Sequence, residues 1–461
     1  MEIKEWLQAH RAEMIEDVIA LTAIESVSRP GEEGFPFGRG CRKVLRMALA
    51  MSERYGLDVE NLDDYCGSAV LKGKSAREIG FFSHLDVVPE GKGWEKTKPY
   101  HPVAEDGWIY GRGSADNKGP AAAVLYALRY LKESGISLKH TLRQFYGCDE
   151  ERKMKDIEYY LNHRIPPVFS LVPDCSFPVC IGEKGRIRII CETRISDKIL
   201  LLQGGDGENS VPEKAEIVLD RLDVERTNVS CPPFIRIGEE KGKLRVEASG
   251  RAAHAAQPED GESAVVLLAK FICENGLLDA DDSEIFRFLW EAFPDFYGSG
   301  LKAEYEDESS GRLTAVGSSL QLNDRVARLC IDMRCPITAD LQEVEKIVRK
   351  VIEGYGWKIC SFEGNPGYYR DNDGREVRRL TDICQEVYGR TFVPYCMGGG
   401  TYSRKLPNAV GYGPGLPFQK KPVPSGHGKG HQPDECVCVE NLLYAAEIYV
   451  KAILMLDEML E

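Results

Sequence analysis

Residues Phe81–Ala123 read FFSHLDVVPEGKGWEKTKPYHPVAEDGWIYGRGSADNKGPAAA, and the rest of the chain is organised around them. The apolar run Ile79–Phe82 predicts a buried strand that leads into His84 and Asp86. A polar loop rich in glycine, proline and aromatic residues follows, and Asp116 stands just before an alanine-rich segment with helical character. This stretch therefore places metal-binding side chains at the ends of two regular elements.

Segments on either side of this stretch alternate between strand and helix patterns. Strands are predicted at Ala69–Leu71, Ile79–Ser83, Leu142–Tyr146 and Val168–Val172. Helices are predicted over residues 1–28, over Cys41–Tyr55 and from Pro120 onward, with Gly56 and Gly135 as stop signals. The alternation is typical of an α/β fold, with a mainly parallel sheet flanked by helices.

Polar residues capable of binding metals follow three of the predicted strands. His84, the pair Glu150 and Glu151, and Asp174 each come just beyond the carboxyl end of a predicted buried strand. Open α/β sheets bind their ligands at the carboxyl ends of their strands. We therefore expect these side chains to lie close together at one edge of the sheet.

The sequence pattern changes from about Gly185. Three segments alternate apolar and polar residues at period two, as in antiparallel strands with one solvated face: GRIRIICETRI (185–195), ERTNV (225–229) and KLRVEASG (243–250). A helical pattern at Ser263–Cys273 and the alternating segment RVARLCIDMRCPI (325–337) complete an α+β block, and helical patterns return at Arg375–Gly389 and Val439–Leu460. The predicted organisation is a first domain part over 1–184, an inserted α+β domain over 185–364 and a second domain part over 365–461.

Composition argues against several classes of protein. A chain of 461 residues exceeds what one hydrophobic core supports, so two or three domains are expected. The formal net charge of −14 argues against a nucleic-acid partner, which requires a basic face. No apolar run approaches the roughly 18 residues of a membrane span, and the 15 cysteines lack paired CxxC spacing, which favours free thiols in a reducing cytoplasm.

The carboxylates and histidines fit a site for two metal ions. A carboxylate such as Asp116 can bridge two ions about 3.5–4 Å apart, while His84 and either Glu151 or Asp174 can each hold one. Asp86, two residues after His84, can orient the imidazole ring in the way that outer carboxylates do at metal sites.

Three further motifs are open to more than one interpretation. The acidic triplet Asp149–Glu151 is either a solvated turn or a ligand beside a general base, and the residues alone do not say which glutamate has which role. His427 and His431 have the spacing of a zinc helix, but the glycines between them disfavour a helix, so at most one is a ligand. GRGSADNKG (111–119) and GGDGENS (204–210) lack the GK[ST] and dinucleotide patterns, so a nucleotide site is not expected.

Five motifs, in this order along the chain, resemble those of the M20 metallopeptidases: HLDVVP (84–89), GRGSADNKGP (111–120), DEE (149–151), VPD (172–174) and HQPDE (431–435). The long inserted block, together with GEKG (182–185), NSVP (209–212) and GGGTYSR (398–404), is similar to that of the bacterial PepV/Sapep-type dipeptidases, which are relatives of the carnosinases. The match extends over most of the chain, and the combination of motifs is far more specific than any one of them.

This resemblance implies a role for each matching residue. The implied ligands are His84 and Asp174 for one metal, Glu151 and His431 for the other, and Asp116 as the bridge. Asp86 would support His84, and Glu150 would be the general base. In the inserted lid, His254 would stabilise the tetrahedral oxyanion, while Asn209 and Arg334 would grip the substrate, the arginine through its terminal carboxylate. Gly399, Gly400 and Thr401 would form the facing carboxylate-binding loop.

The resemblance also implies what the protein does. It predicts a monomeric cytoplasmic dipeptidase that hydrolyses short unblocked peptides with a water activated by two divalent metal ions, and that has no nucleic-acid or membrane partner. Zinc is the first expectation for the metal, and manganese or cobalt are the alternatives, because these donors do not select among the three. An N-acyl amino acid deacylase of the acetylornithine or succinyl-diaminopimelate type and an inactive metal-binding member are the other interpretations. The long lid favours the dipeptidase over the deacylase, and the complete ligand set argues against an inactive member.

Overall fold

The computed structural model describes residues 1–205, 207–220, 231–370 and 374–460, and the predicted strand at 225–229 lies outside them. The chain forms two compact units. One, here called the flanking unit, consists of Met1–Ile181, Arg370–Tyr395 and Gly400–Glu461. The other, here called the inserted unit, consists of Gly182–Tyr369 and Cys396–Gly399. The assignment of catalytic and lid roles to the ranges 1–184, 185–364 and 365–461 stays a prediction.

Helices and strands alternate along most of the chain. The helices are α1 (Ile3–Ala9), α2 (Arg11–Thr22), α3 (Arg39–Arg54), α4 (Lys118–Glu133), α5 (Lys155–His163), α6 (Ala264–Glu274), α7 (Ala280–Glu291), α8 (Leu341–Gly354), α9 (Arg375–Tyr388) and α10 (Val439–Met459). The strands up to the inserted unit are β1 (Asp58–Leu62), β2 (Cys66–Leu71), β3 (Glu78–His84), β4 (Val103–Glu105), β5 (Trp108–Tyr110), β6 (Thr141–Gly147), β7 (Phe169–Val172), β8 (Cys175–Ser176) and β9 (Cys180–Glu183).

The strands of the inserted unit are β10 (Gly185–Arg194), β11 (Ile199–Gly204), β12 (Lys214–Asp220), β13 (Ile235–Glu240), β14 (Lys243–Ser249), β15 (Glu306–Asp307), β16 (Gly311–Arg312), β17 (Thr314–Asn323), β18 (Val326–Cys335), β19 (Lys358–Asn365) and β20 (Tyr368–Tyr369). The last strands are β21 (Tyr395–Met397), β22 (Ala409–Gly411), β23 (Pro414–Gly415) and β24 (Cys436–Cys438). Short 3₁₀ turns lie at Pro258–Asp260 and Tyr402–Lys405.

The central sheet of the flanking unit contains the run of neighbouring strands β1-β2-β6-β3-β7-β22. Its middle strands β6, β3, β7 and β22 are parallel. β2 was expected within the parallel sheet but is antiparallel to both neighbours. A short turn joins it to β1 as a hairpin, and only residues 72–77 separate it from β3, which is too few for the crossover that a parallel arrangement needs. The predicted α/β fold is confirmed, and β22 escaped prediction because three residues carry no recognisable period.

Helices cover both faces of this sheet, as the neighbouring residues Phe81 and Phe82 of β3 illustrate. Successive residues of a strand point to opposite faces. Phe81 packs against Tyr449 of α10, with ring centroids 5.4 Å apart, while Phe82 packs against Tyr160 of α5 at 5.6 Å. The flanking unit is therefore a three-layer arrangement of helices, sheet and helices.

Helix ends largely follow the signals in the sequence. Gly135 has a φ of 63° just past α4, and Gly56 has a φ of 76° just past α3, so both adopt the left-handed conformation that suits a helix terminus. The predicted single helix over residues 1–28 is instead divided into α1 and α2 at His10. None of the helices in the described part of the chain has the length and apolar character needed to cross a bilayer.

The inserted unit contains an eight-stranded antiparallel sheet in the order β13-β14-β12-β11-β17-β18-β10-β19. On β10 the buried Ile187 and Ile189 alternate with the partly exposed Arg186 and Arg188, which is the predicted period of two. Helices α6, α7 and α8 contribute residues to one apolar core with this sheet. The predicted α+β character of the insertion is thus confirmed.

Candidate metal centre

His84 is the last residue of β3 and lies at the carboxyl end of the parallel strands. Its side chain is buried, and its Nε2 lies 3.0 Å from Asp116 Oδ1 and 3.7 Å from Asp174 Oδ2. Its Nδ1 lies 3.0 Å from the main-chain oxygen of Asp86. An Nδ1–H that donates to this carbonyl leaves the lone pair on Nε2, which is the atom that faces the two carboxylates.

Asp116 lies directly before Asn117, the N-cap residue of α4, and between two histidines. One of its carboxylate oxygens, Oδ1, is 3.0 Å from His84 Nε2, and the other, Oδ2, is 3.3 Å from His431 Nε2. A carboxylate whose two oxygens face two separate imidazoles has the disposition of a bridging ligand.

Glu151 and His431 complete the second side of the cluster. His431 Nε2 lies 3.1 Å from Glu151 Oε1 and 3.0 Å from Oε2, although the two residues are 280 positions apart. The other histidine of the glycine-rich motif, His427, instead has its Nδ1 2.7 Å from Asp434 Oδ2. His431 is therefore the histidine of this pair that joins the cluster.

The described residues contain two sets of three potential ligand atoms that lie within 4.8 Å of one another. The first set is His84, Glu150 and Asp174, and the second is His84, Asp116 and Glu151. Imidazole nitrogens and carboxylate oxygens are donors that suit zinc, manganese and cobalt. The chemistry and spacing of these side chains therefore fit divalent cations.

Glu150 is buried beside this cluster, and its Oε1 has no hydrogen-bond partner among the described residues. Burial raises the pKa of Glu150 well above its ordinary value, and the negative charge of Asp174 and Glu151 adds to that effect, opposed by His84. A buried acceptor oxygen without a partner calls for a water molecule or a substrate group. The position of Glu150 is thus compatible with a general base.

Asp86 is fully buried and has a role that the sequence did not reveal. Its carboxylate accepts the main-chain N–H of Glu150 at 3.2 Å and that of Glu151 at 3.1 Å. The expected support of His84 comes mainly from the Asp86 carbonyl, because the Asp86 carboxylate lies farther away, at 3.5 Å. Asp86 therefore holds the turn that carries both glutamates.

Other residues around the cluster were also missed by sequence reasoning. Asn117 donates to Asp174 Oδ1 at 3.1 Å and to the Pro173 carbonyl at 2.6 Å. Asp149, the first member of the acidic triplet, accepts the hydroxyl of Ser28 at 2.5 Å and therefore supports the turn. In the sequence, Asn117 was marked only by its place within the motif GRGSADNKGP (111–120), shortly before the predicted helix.

The pKa values of the cluster residues are shifted because these ionisable side chains are buried close to one another. Burial opposes ionisation of Asp116, but contacts with His431 and His84 outweigh it and lower the Asp116 pKa below its ordinary value. Burial raises the pKa of Glu151 to about 7, helped by the charge of Asp116. Burial lowers the pKa of His431, but the charges of Glu151 and Asp116 reverse this and raise it to about 11. Glu151 and His431 therefore bind protons more tightly than the isolated side chains would.

Asn209, predicted to bind the substrate, and His254, predicted to stabilise the oxyanion, are neighbours in the inserted unit. Ser210 and His254 form an isolated antiparallel bridge, and the Ala255 N–H donates to the Asn209 carbonyl at 2.9 Å. The His254 ring accepts the Ala256 N–H at its Nδ1 over 3.1 Å. The inserted unit thus brings Asn209 and His254 together, and their functional roles stay predictions.

The remaining predicted residues lie around the 398–404 segment. Arg334 on β18 donates through Nε to Asp332 at 2.6 Å and through Nη1 to the Gly398 carbonyl at 2.7 Å, next to Gly399. In the flanking unit, Gly400 precedes Thr401, whose hydroxyl accepts the Ser403 N–H at 3.1 Å and caps the 3₁₀ turn. Carboxylate binding by these residues stays a prediction.

Comparison with known proteins identifies the family. The model of "Peptidase family M20/M25/M40" matches residues 80–455. The chain is 30% identical over 445 residues to the "Putative dipeptidase YtjP" of Bacillus subtilis (strain 168), with 93% of each chain covered. It is 27% identical over 472 residues to the Beta-Ala-Xaa dipeptidase of Lactobacillus delbrueckii subsp. lactis, with 98% of each covered.

The fold is also that of solved structures. Human carnosine dipeptidase 1 superposes with a TM-score of 0.61 at 14% identity, with 99% of this chain and 98% of that one covered. Such a low identity supports the fold alone, whereas the family match extends over most of the chain and includes every residue of the cluster. The chain belongs to peptidase family M20/M25/M40 and is a metallopeptidase of that family.

Proposed function

We propose that this metallopeptidase is a dipeptidase that hydrolyses short peptides with free termini. The observation that carries the proposal is the Asp116 carboxylate, which faces His84 on one side and His431 on the other. Beside it lies the buried Glu150 oxygen, which has no hydrogen-bond partner in the described part of the chain. The dipeptidase names of two relatives that align over nearly the whole chain support the substrate class.

In this proposal, His84, Asp116 and Asp174 would hold one divalent ion, and Asp116, Glu151 and His431 would hold the other. When bound, the two cations polarise the peptide carbonyl and lower the pKa of a water molecule. Zinc is the first expectation, with manganese and cobalt as alternatives, since the donor set suits all three. The protein residues then have to orient the substrate and to move a proton.

Proton transfer is assigned to Glu150. Its carboxylate takes a proton from the attacking water and delivers it to the leaving amine nitrogen. Its burial favours the protonated form once the proton has arrived, which supports the second half of this sequence. The two main-chain hydrogen bonds from this turn to Asp86 restrict where the carboxylate can lie.

Substrate binding is assigned to the residues of the lid and of the 398–404 segment. His254 stabilises the negative charge that develops on the tetrahedral oxygen. Arg334 binds the terminal carboxylate of the peptide, which a planar guanidinium can do with two parallel hydrogen bonds. Asn209, Gly399, Gly400 and Thr401 complete the substrate contacts. A monomeric assembly belongs to the same proposal.

A substrate panel tests this function. The metal-depleted protein is reconstituted separately with zinc, manganese and cobalt and assayed on Xaa-His and β-Ala-Xaa dipeptides and on N-acetyl amino acids. We expect cleavage of the free dipeptides and little or none of the acetylated compounds. Cleavage of the acetylated set alone would make the protein a deacylase, and the absence of any hydrolysis with all three metals would point to an inactive member.

A further inference from the structure

Glu435 is a fully buried carboxylate to which the family resemblance assigns no role. Its Oε1 accepts three main-chain N–H groups from the loop before α4, those of Gly113 at 3.0 Å, Ala115 at 2.9 Å and Asp116 at 3.0 Å. Three donors converging on one charged oxygen hold this loop in a single conformation. The third of them belongs to the residue placed between the two histidines.

Arg112 is the buried partner of this carboxylate. Its Nη1 lies 2.7 Å from Glu435 Oε2 and also donates to the Gln432 carbonyl at 3.2 Å, while its Nη2 donates to the Glu90 carbonyl at 3.0 Å. Gln432 directly follows His431. One guanidinium therefore contacts three separate points of the flanking unit, and one of them adjoins His431.

These contacts join the two loops that carry Asp116 and His431. Glu435 holds Asp116 through its main-chain N–H, and Arg112 holds the residue after His431 through its carbonyl. Between the two loops, His431 Nε2 lies 3.3 Å from Asp116 Oδ2. Metal sites tolerate only a few tenths of an ångström of ligand displacement, so the separation of these loops matters for an ion held by both residues.

Stabilisation of the fold explains the buried pair of Arg112 and Glu435 less well than the fixing of loop geometry does. Removing two charges from water is costly, and buried ion pairs are frequently no more stabilising than apolar residues of the same volume. In some proteins, buried ionic groups instead specify one particular geometry. Here the main-chain groups that the pair fixes belong to, or adjoin, two residues of the cluster.

We propose that Arg112 and Glu435 are positioning residues for the ion bound by Asp116, Glu151 and His431. They touch neither that ion nor the substrate and act by fixing the distance between the Asp116 and His431 loops. This inference rests on the proposed dinuclear site and goes beyond it, because it makes the binding of one ion depend on the pair more strongly than the binding of the other, to which His84 and Asp174 contribute.

The test compares Glu435→Gln with a matched control, Glu78→Gln. Glu78 accepts two hydrogen bonds from Arg143, at 2.7 and 2.8 Å, away from the cluster. Metal-depleted wild type and both variants are titrated with Mn²⁺, and bound ions are followed by calorimetry and by the electron paramagnetic resonance signal of spin-coupled manganese pairs. Thermal unfolding of the metal-free proteins reports any general loss of stability.

We expect Glu435→Gln to bind one of the two ions about 10- to 100-fold more weakly, as for other residues that orient metal ligands. In Glu435→Gln, the resonance signal of the coupled manganese pair should be absent at stoichiometric Mn²⁺. It should return, together with activity, when Mn²⁺ is in excess. Glu78→Gln should retain both ions even if it unfolds at a lower temperature.

If Glu435→Gln binds each ion as tightly as the wild type does, the inference is overturned and the proposed function is left intact. Equal weakening of both ions would overturn it as well. If Glu435→Gln is recovered unfolded, Arg112→Lys, which keeps the charge but not the forked contacts, is judged by the same criteria. A wild-type chain that binds fewer than two ions would contradict the proposed function itself and the inference with it.

Discussion

Oδ1 of Asp86 accepts a hydrogen bond from the main-chain N–H of Glu150 over 3.2 Å. The other carboxylate oxygen accepts the Glu151 N–H at 3.1 Å, and the Asp86 carbonyl lies 3.0 Å from the ring of His84. One buried residue thus connects the first histidine of the cluster with the turn that carries Glu150, the proposed general base, and Glu151, a proposed ligand. The positions of His84 and of both glutamates therefore depend on the same residue, through its carbonyl in the first case and its carboxylate in the second.

Replacement of Asp86 should therefore affect both metal binding and turnover. Asparagine has a single acceptor oxygen, so in Asp86→Asn an amide NH₂ would face one of the two main-chain donors. We expect metal affinity or activity to fall about 10- to 100-fold, the range for groups that orient metal ligands. Calorimetric titration with Zn²⁺ and steady-state kinetics measure the two effects. Asp58→Asn, on an exposed part of β1, is the control, and a wild-type-like Asp86→Asn would contradict this role.

Glu150 should be needed for turnover but not for metal binding. Glu150→Gln keeps the shape of the side chain and Glu150→Ala removes it, and in both the group that accepts the proton is lost. We expect kcat to fall by a factor of about 10² to 10⁴, with metal content near that of wild type by elemental analysis. Glu158→Gln, at an exposed pair with Lys405, is the control. Activity within a few-fold of wild type in either Glu150 variant would assign the base elsewhere.

The strands that carry the cluster could be predicted from the sequence because their signals are local. Apolar runs such as Ile79–Phe82 identify buried strands, and parallel strands bring their carboxyl ends to one edge, so His84, Glu151 and Asp174 were expected together. The antiparallel direction of β2 depends on the short links that join it to β1 and to β3, which an apolar run does not encode. The three-residue β22 was too short for any period.

Long-range partners in the site could not be predicted from local patterns. His431 meets Glu151 across 280 positions, and the residues alone did not distinguish His431 from His427. Glu435 lies 323 positions from Arg112, and neither residue has a neighbour in sequence that marks it as buried and paired. The family resemblance assigned His431 rather than His427 as the ligand, and only the folded chain revealed the pair of Arg112 and Glu435.

His254 should contribute to the rate rather than to metal binding. If its ring stabilises charge that exists only in the tetrahedral state, His254→Ala should lower kcat by a factor of about 10² or more, as for loss of one oxyanion donor. Metal content should not change. Steady-state kinetics on a dipeptide and elemental analysis measure the two quantities, with the exposed His163→Ala as the control. A variant with unchanged kcat would place His254 outside the reaction.

Metal binding should release protons. In the metal-free protein the pKa of His431 is raised to about 11 and that of Glu151 to about 7, so near neutral pH His431 holds a proton and Glu151 is partly protonated. A cation must displace these protons, so affinity should rise as the pH increases from about 6 to about 8. Calorimetric titrations with Zn²⁺ in two buffers of different ionisation enthalpy measure the release. Identical heats in both buffers, or affinity that falls with rising pH, would contradict this protonation state.

The most direct test of the central claim is a stoichiometric metal titration of the activity. The metal-depleted chain is titrated with Zn²⁺ or Mn²⁺ while bound ions and hydrolysis of an unblocked dipeptide such as β-Ala-His are measured on the same samples. We predict no turnover without metal and full turnover only when two ions are bound per chain, since Asp116 faces both histidines. Full activity in the metal-depleted protein, or activity that saturates with a single bound ion, would contradict the dinuclear site.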